Sequence, residues 1–283
     1  MNRLGVHALV WTGGWSEADA AHAIAETKRA GYDIIEIPLL DPSSVDAAMT
    51  RRLLDEYGLE ATCSLGLSAA TDISSEDVVA VAAGEALLHA ALDCAVQMGS
   101  TYMGGILYSA FQKYLHPPTA AGRANAIRVL KGVTRKAVAQ GVTLGLEVVN
   151  RYETNLLTTA DDALSFIAEI DEPGVGVHLD TYHMNIEEDD MSGPVRRCGD
   201  KLVYVHVGES HRGYLGSGSV DFSTFFKALA ELRYAGIITF ESFSSTVVSP
   251  SLSNTLGVWR NLWSDGYDLA VRARSFVSSH LRG

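Results

Sequence analysis

Short apolar runs rich in β-branched residues alternate with longer amphipathic segments from one end of the chain to the other. The runs 4–11 (LGVHALVW), 33–39 (DIIEIPL), 59–66 (LEATCSLG), 101–107, 142–149 (VTLGLEVV), 174–180, 201–208 and 236–242 have the length and composition of strands. Between them, 17–30, 45–57, 76–98, 121–140, 159–170, 187–199, 222–234 and 254–279 carry helical spacing and helix-forming residues. The pattern predicts eight strand–helix units.

Local signals mark several boundaries. Gly31, Gly58, Gly99 and Gly141 each follow a helical run, where a residue without Cβ can take the left-handed conformation that ends a helix. Ser16 with Glu17, Ser75 with Glu76, and Thr159 with Asp161 and Asp162 read as N-terminal caps and first-turn acids. Eight parallel strands with crossover helices can close into a (β/α)8 barrel or lie open as a doubly wound sheet. No GxGxxG follows the first strand, no GxxxxGK[ST] occurs, and no linker-like stretch divides the chain, so residues 1–283 read as one domain without a nucleotide signature.

The ends of the last four strands favour the barrel. Glu147 (LGLEVVN), Asp180 (GVGVHLDTYH), His206 (LVYVHVGES) and Glu241 (GIITFES) each stand near the close of a strand. In a barrel such positions surround one axis and can meet; in an open sheet they would spread along a line. Three carboxylates and one imidazole suit a catalytic divalent ion such as Mn²⁺, with Mg²⁺ or Co²⁺ as alternatives, better than a structural zinc, which favours thiolates. Strand alternation places Tyr204 and Leu202 on the face of His206, His178 on that of Asp180, and Thr239 and Ile237 on that of Glu241. His178 then reads as a buried partner below Asp180 rather than as a ligand.

Composition narrows the partners. With 283 residues, 47% of them hydrophobic, the chain has material for a large core. A net charge of -12 disfavours nucleic acid and leaves a small neutral or cationic ligand. Cys63, Cys94 and Cys198 are widely spaced and form no CxxC pair, which suggests reduced packing residues. Neither a leader-like N-terminus nor a run of about 20 apolar residues is present, so no membrane partner and a cytoplasmic location are expected.

The segments EVVNRYE (147–153), HLDTYHMN (178–185), VHVGESHRGYLGSG (205–218) and TFES (239–242) together resemble the ketose 3-epimerases. That group contains D-tagatose, D-allulose (psicose) and L-ribulose 3-epimerases and sits within the xylose-isomerase-like barrel superfamily. The resemblance runs from GVHALVWTGGW (5–15) to the last strand. It implies a metal held by Glu147, Asp180, His206 and Glu241, with the two glutamates also serving as the acid/base pair. It further implies that Glu153, His183 and Arg212 grip the substrate near O1 and O2. Inversion at C3 needs a weakly acidic C–H removed beside a carbonyl and a proton returned to the other face of a cis-enediolate, which two opposed carboxyls and a metal can do. The implied substrate is a free ketopentose or ketohexose, and the implied assembly is a homodimer or homotetramer.

The distal end of the pocket is read from strand ends one and four. His7, Trp11 and Trp15 suit a lid over C4 to C6, and the loop 105–115, with Gly105, Leu107, Tyr108 and Phe111, suits another wall. Resembling proteins often carry an aromatic residue near position 7, so His7 is a departure. His22, His89, His116, His211 and His280 show no partner pattern and receive no role. The stretch GYLGSGSVDF (213–222) could be taken for a phosphate cradle, but Arg212 is its one basic neighbour, which favours a tight loop shaping the site. Competing readings are a C1–C2 aldose–ketose isomerase of the same superfamily, a multi-zinc endonuclease, which needs further strand-end histidines, and a sugar-binding protein without catalysis.

Overall fold

The computed structural model describes residues 2–282. Eight strands, β1 (Leu4–His7), β2 (Ile34–Pro38), β3 (Glu60–Leu67), β4 (Tyr102–Ala110), β5 (Thr143–Val148), β6 (Val175–Asp180), β7 (Leu202–Val207) and β8 (Ile237–Phe240), pair in chain order, all parallel. β1 also pairs with β8, so the sheet closes into a barrel. Around it run α1 (Glu17–Arg29), α2 (Ala47–Tyr57), α3 (Val78–Gln97), α4 (Ala120–Ala139), α5 (Ala160–Ile170), α6 (Thr181–Glu187), α7 (Gly193–Cys198), α8 (Phe222–Leu232), α9 (Pro250–Leu256) and α10 (Gly266–His280). The expected (β/α)8 architecture is the one observed.

Caps set the helix starts. Ser16 and Asp19 form a reciprocal capping box at α1, and Thr159 and Asp162 form another at α5. Gly58 closes α2 at φ 60°, a conformation a side chain with Cβ adopts only with strain. α3 is long and apolar enough by length and composition alone to cross a membrane, yet it is the crossover between β3 and β4 and buries Val81, Leu88 and Leu92 in the core.

The inside of the barrel is polar. Tyr102 and Tyr204 stack there with ring centroids 4.0 Å apart. The Tyr204 hydroxyl meets Thr62 Oγ1 at 2.8 Å and Thr239 Oγ1 at 2.6 Å and donates to Glu36 at 2.8 Å. Two tyrosines fit in so narrow a space because their neighbours lack side chains. A Cβ on Gly104 or Gly145 would stand 2.2 or 2.0 Å from the Tyr102 hydroxyl. The alternation read along β6, β7 and β8 accordingly holds for His178, Tyr204 and Thr239, while Val205 and Val207 are buried on the outer face.

Four boundaries differ from the sequence pattern, each for a local reason. β1 stops at His7, whose Nδ1 accepts the Leu9 N–H at 3.2 Å and starts a 3-10 turn over Ala8–Val10. Asp77, not Ser75, caps α3 by accepting the Val79 N–H. The helix expected over 187–199 is α7 alone; α6 starts earlier, directly after β6, because the Asp180 carboxylate accepts the Tyr182 N–H at 2.7 Å. The single helix expected over 254–279 is two, with Gly257 ending α9 at φ 65° and Asp265 capping α10.

The packing of Tyr102 against glycine makes a stability prediction. Gly145→Ala forces Tyr102 out of its stack and is expected to cost about 1–3 kcal/mol, the range for overpacking a tight core. A chemical denaturation curve with an unchanged slope and a lower midpoint would show it.

Candidate active site

At the C-terminal end of the barrel, Glu147, Asp180, His206 and Glu241 each offer one ligand atom, all within 4.8 Å of one another. β5, β6, β7 and β8 deliver them, so the convergence is a product of closure and of side-chain alternation. His206 Nδ1 stands 3.4 Å from Glu147 Oε1 and 3.5 Å from Glu241 Oε1. That nitrogen is buried without a hydrogen-bond partner. A buried imidazole nitrogen aimed among three carboxylates is a donor set that fits a divalent cation.

Glu36, on β2, carries a role that the sequence pattern did not reveal. It is fully buried inside the barrel, and its Oε2 accepts from His206 Nε2 at 2.8 Å as well as from Tyr204. A carboxylate on Nε2 fixes the imidazole tautomer and leaves the Nδ1 lone pair facing Glu147 and Glu241. Burial raises the Glu36 pKa, but the His206 imidazole outweighs it and holds the carboxyl below its usual range. The signal was available: a glutamate in the middle of the apolar run DIIEIPL has no place on a barrel's outer face. His178 sits beneath, its Nδ1 3.2 Å from the Tyr102 hydroxyl and its ring edge-on to His206 with centroids 4.2 Å apart. With Glu147 and His206 it forms a second grouping close enough to hold an ion.

Three further polar residues close the ring. His183 Nδ1 accepts the Asn150 backbone N–H at 3.1 Å, so the proton of the neutral ring resides on Nε2, which faces Glu147, Glu153 and Asp180 at 3.8–4.0 Å. Burial drives the His183 pKa well down and keeps the ring neutral. Arg212 donates through one amino group to Asp180 Oδ2 at 3.1 Å and to Glu241 Oε2 at 2.6 Å, with its guanidinium stacked 3.8 Å over the Tyr182 ring. Asn150 donates to Glu153 at 2.9 Å. Burial pushes the Glu153 carboxyl up to about 7 despite Arg212, and raises Glu147 and Asp180 as well. Burial acts on Glu241 in the same sense, but His206 and Arg212 outweigh it and hold Glu241 below its ordinary value.

Glu147, Glu153, His183, His206, Arg212 and Glu241 line one open pocket. Its far wall is largely apolar, with Leu9, Phe111, Phe243, Leu252 and Leu256. Among the distal positions singled out in the sequence, His7, Gly105 and Phe111 line this pocket. His7 Nε2 points inward, 3.3 Å from Ser64 Oγ and 3.9 Å from Glu241 Oε1. Gly105 has φ 104° and lies where a Cβ would strike the Leu65 carbonyl at 2.3 Å.

Four positions expected around the distal end, Leu107, Tyr108, Trp11 and Trp15, do not line it. Tyr108 points outward behind β5, where its hydroxyl donates to the Glu147 carbonyl at 2.7 Å and its ring packs near Phe166. It supports the strand that carries Glu147 and does not reach the pocket. Trp15 is tied by its indole N–H to Thr50 Oγ1 at 3.0 Å and lines a neighbouring surface cavity. Trp11 is likewise turned away, donating to Thr27 at 2.9 Å. Both indoles satisfy their N–H groups on helix threonines, which draws them off the barrel axis.

The Glu36–His206 contact yields a prediction. Glu36→Gln removes the charge that sets the His206 tautomer and is expected to weaken divalent-metal affinity about 10–100-fold, the usual range for such outer partners. Calorimetric titration of the metal-stripped variant with Mn²⁺ would measure it.

The xylose isomerase-like TIM barrel family model matches residues 24–262. A ketose 3-epimerase of Arthrobacter globiformis is 50% identical over 279 residues, covering 99% of this chain and 96% of that protein. An L-ribulose 3-epimerase of Methylomonas sp. (strain DH-1) is 53% identical over 273 residues, 96% of each chain. The crystal structure of a Methylomonas sp. D-allulose 3-epimerase in complex with D-allulose superposes with a TM-score of 0.97 at 52% identity, covering 99% of this chain and 97% of that one. With a barrel of this form, a site of this geometry and relatives this similar along its length, the chain belongs to the ketose 3-epimerases of the xylose isomerase-like TIM barrel family.

Proposed function

We propose that this protein is a metal-dependent isomerase that inverts C3 of free ketopentoses and ketohexoses, with L-ribulose and D-allulose/D-fructose as the first substrates to examine. The observation that carries the reading is the pair Glu147 and Glu241, delivered from the non-adjacent strands β5 and β8 and standing 3.4 and 3.5 Å from His206 Nδ1. A single face of carboxylates would suffice to bind a metal; inversion needs a proton handled on each face of a planar intermediate.

Glu147, Asp180, His206 and Glu241 would hold one divalent ion per subunit, with Mn²⁺ preferred on the strength of the oxygen-rich donor set. When bound, such an ion supplies a Lewis acid that polarises the 2-keto group and steadies the charge developing on O2 and O3. Glu147 and Glu241 take the proton from C3 on one face and return one on the other, exchanging roles when the reaction reverses. His183 Nε2–H, Glu153 and Arg212 hold the O1 and O2 end, so that the C3–H bond is presented to a carboxylate rather than free to rotate. The distal pocket, with His7 as its donor and an apolar wall, receives the rest of the chain.

An unphosphorylated sugar follows from charge. Arg212 is the single arginine or lysine among the described residues lining the pocket, and its guanidinium is already engaged by Asp180 and Glu241. A phosphate brought here would meet Glu147, Glu153 and Glu241 with no lysine or arginine free to receive it. The three cysteines are buried free thiols, a state that a reducing compartment preserves, which supports the cytoplasm as the place of action. A homodimer or homotetramer is the proposed assembly, readable by sedimentation.

Proton exchange tests the reading. The metal-stripped, Mn²⁺-restored protein is incubated in D₂O with L-ribulose, D-fructose and D-tagatose, and deuterium is followed by NMR. Deuterium at C3 with appearance of the C3 epimer is expected; deuterium at C1 with an aldose product would instead make the protein a C1–C2 isomerase. Glu147→Gln and Glu241→Gln are each expected to lower turnover at least about 10²–10⁴-fold, the usual contribution of a positioned acid or base. Chelation should abolish turnover, and Mn²⁺, Co²⁺ or Mg²⁺ added singly should restore it in an order that identifies the preferred ion.

A further inference from the structure

Arg212 does not stand on a strand. It lies five residues beyond Val207, the last ladder position, on the loop after β7, and its backbone has φ 62°, which side chains with Cβ rarely adopt. Something must hold that conformation. The Arg212 N–H donates to the Glu209 carbonyl at 2.8 Å, and its own carbonyl accepts from Ser242 Oγ at 2.5 Å, with the Trp263 indole N–H donating to the same hydroxyl at 2.8 Å.

The Glu209 side chain organises the rest of this loop. It is fully buried, and no cation is paired with it among the described residues. Its Oε1 accepts the backbone N–H groups of Ser210 at 2.8 Å and Val220 at 3.2 Å, and its Oε2 accepts that of Gly216 at 2.8 Å. One carboxylate thus ties the first residue of the loop to its far end, a span of ten residues closed by three charge-assisted bonds. Gly218 makes the room: a Cβ there would lie 2.4 Å from Glu209 Oε1. The glycine-rich stretch is a tight loop, and the carboxylate it closes around is the chain's own.

We propose that Glu209 is a positioning residue, an internal anion that fills the backbone nest of the loop after β7 and thereby sets Arg212 against Asp180 and Glu241. It touches neither the pocket nor the ligand cluster and acts only through Arg212. The inference rests on the epimerase reading for what Arg212 binds, though not for where Arg212 sits.

A mutant cycle tests it on the Mn²⁺-loaded enzyme with L-ribulose, using Glu209→Ala, Arg212→Ala and the double variant. If Glu209 acts through Arg212, Glu209→Ala raises KM about tenfold with a smaller change in kcat, and the double variant stays within about twofold of Arg212→Ala. Added acetate or formate, against chloride at equal ionic strength, refills the nest and restores Glu209→Ala but not the double variant. A purely structural role would give multiplied losses in the double variant and no anion rescue, and either result overturns the proposal. Glu209→Gln keeps the shape while turning an amide NH₂ toward backbone N–H groups; it serves if the alanine variant does not fold, and the same non-additivity is expected of it.

Mn²⁺ affinity gives a readout that needs no sugar. Arg212→Ala frees two ligand carboxylates from a cation and is expected to tighten Mn²⁺ binding, and Glu209→Ala should shift it in the same direction. An affinity equal to wild type in Glu209→Ala while Arg212→Ala shifts it would overturn the inference. Absence of C3 turnover in the wild-type protein would instead overturn the epimerase reading and leave the metal-affinity comparison standing.

Discussion

The hydrogen bond between Glu36 and His206 joins the core of the barrel to its mouth. On one side Glu36 is fixed by Tyr204, which is itself held by Thr62, Thr239 and the stacked ring of Tyr102. On the other side His206 presents its remaining nitrogen to Glu147 and Glu241. A buried charge is tolerated only when paired and hydrogen-bonded. Glu36 therefore depends on His206, and the geometry of the four candidate ligands depends on Glu36. A barrel filled with leucine and valine would be as closed, but it would leave the imidazole free to turn.

That polar filling has a steric condition. Tyr102 and Tyr204 occupy the axis only because β4 and β5 carry glycine where other strands carry side chains. The stack then acts as a floor: above it lie Glu36, His178 and His206, and above those the carboxylates that meet the pocket. Glu36 and His178 meet the hydroxyls of Tyr204 and Tyr102 in the layer beneath, so the site is continuous with the structure that supports it.

The pocket is built by two kinds of support. The four candidate ligands stand at or beside strand ends, where pairing on both sides limits movement. Arg212 and His183 stand beyond the strands and are held by local devices: the loop closed by Glu209, and Asn150 donating to His183 Nδ1 at 3.1 Å from its backbone. Strand-borne groups suit a metal, which demands fixed distances. A loop places Arg212, and the first turn of α6 places His183.

Much of this was legible in one dimension. Eight alternations of strand and helix, with glycine at the helix ends, mark eight βα units, because a period of two and a period near 3.6 bury different faces, and the ligand-type residues closing the last four strands favour a barrel over an open sheet. Alternation also determines that Glu147, Asp180, His206 and Glu241 share the inner face once the sheet closes, and the segments around Glu153, His183 and Arg212 carry the family pattern. What lies across the barrel was not legible. Glu36 is 170 residues from His206 and meets it only because β2 and β7 face each other over the axis. Tyr108 and Trp15 look like wall residues by position, yet Tyr108 satisfies its hydroxyl on the Glu147 carbonyl behind β5 and Trp15 gives its N–H to Thr50. Local sequence sets which face of an element is apolar; which partner satisfies a buried polar atom is decided by what the closed barrel brings within three ångströms of it.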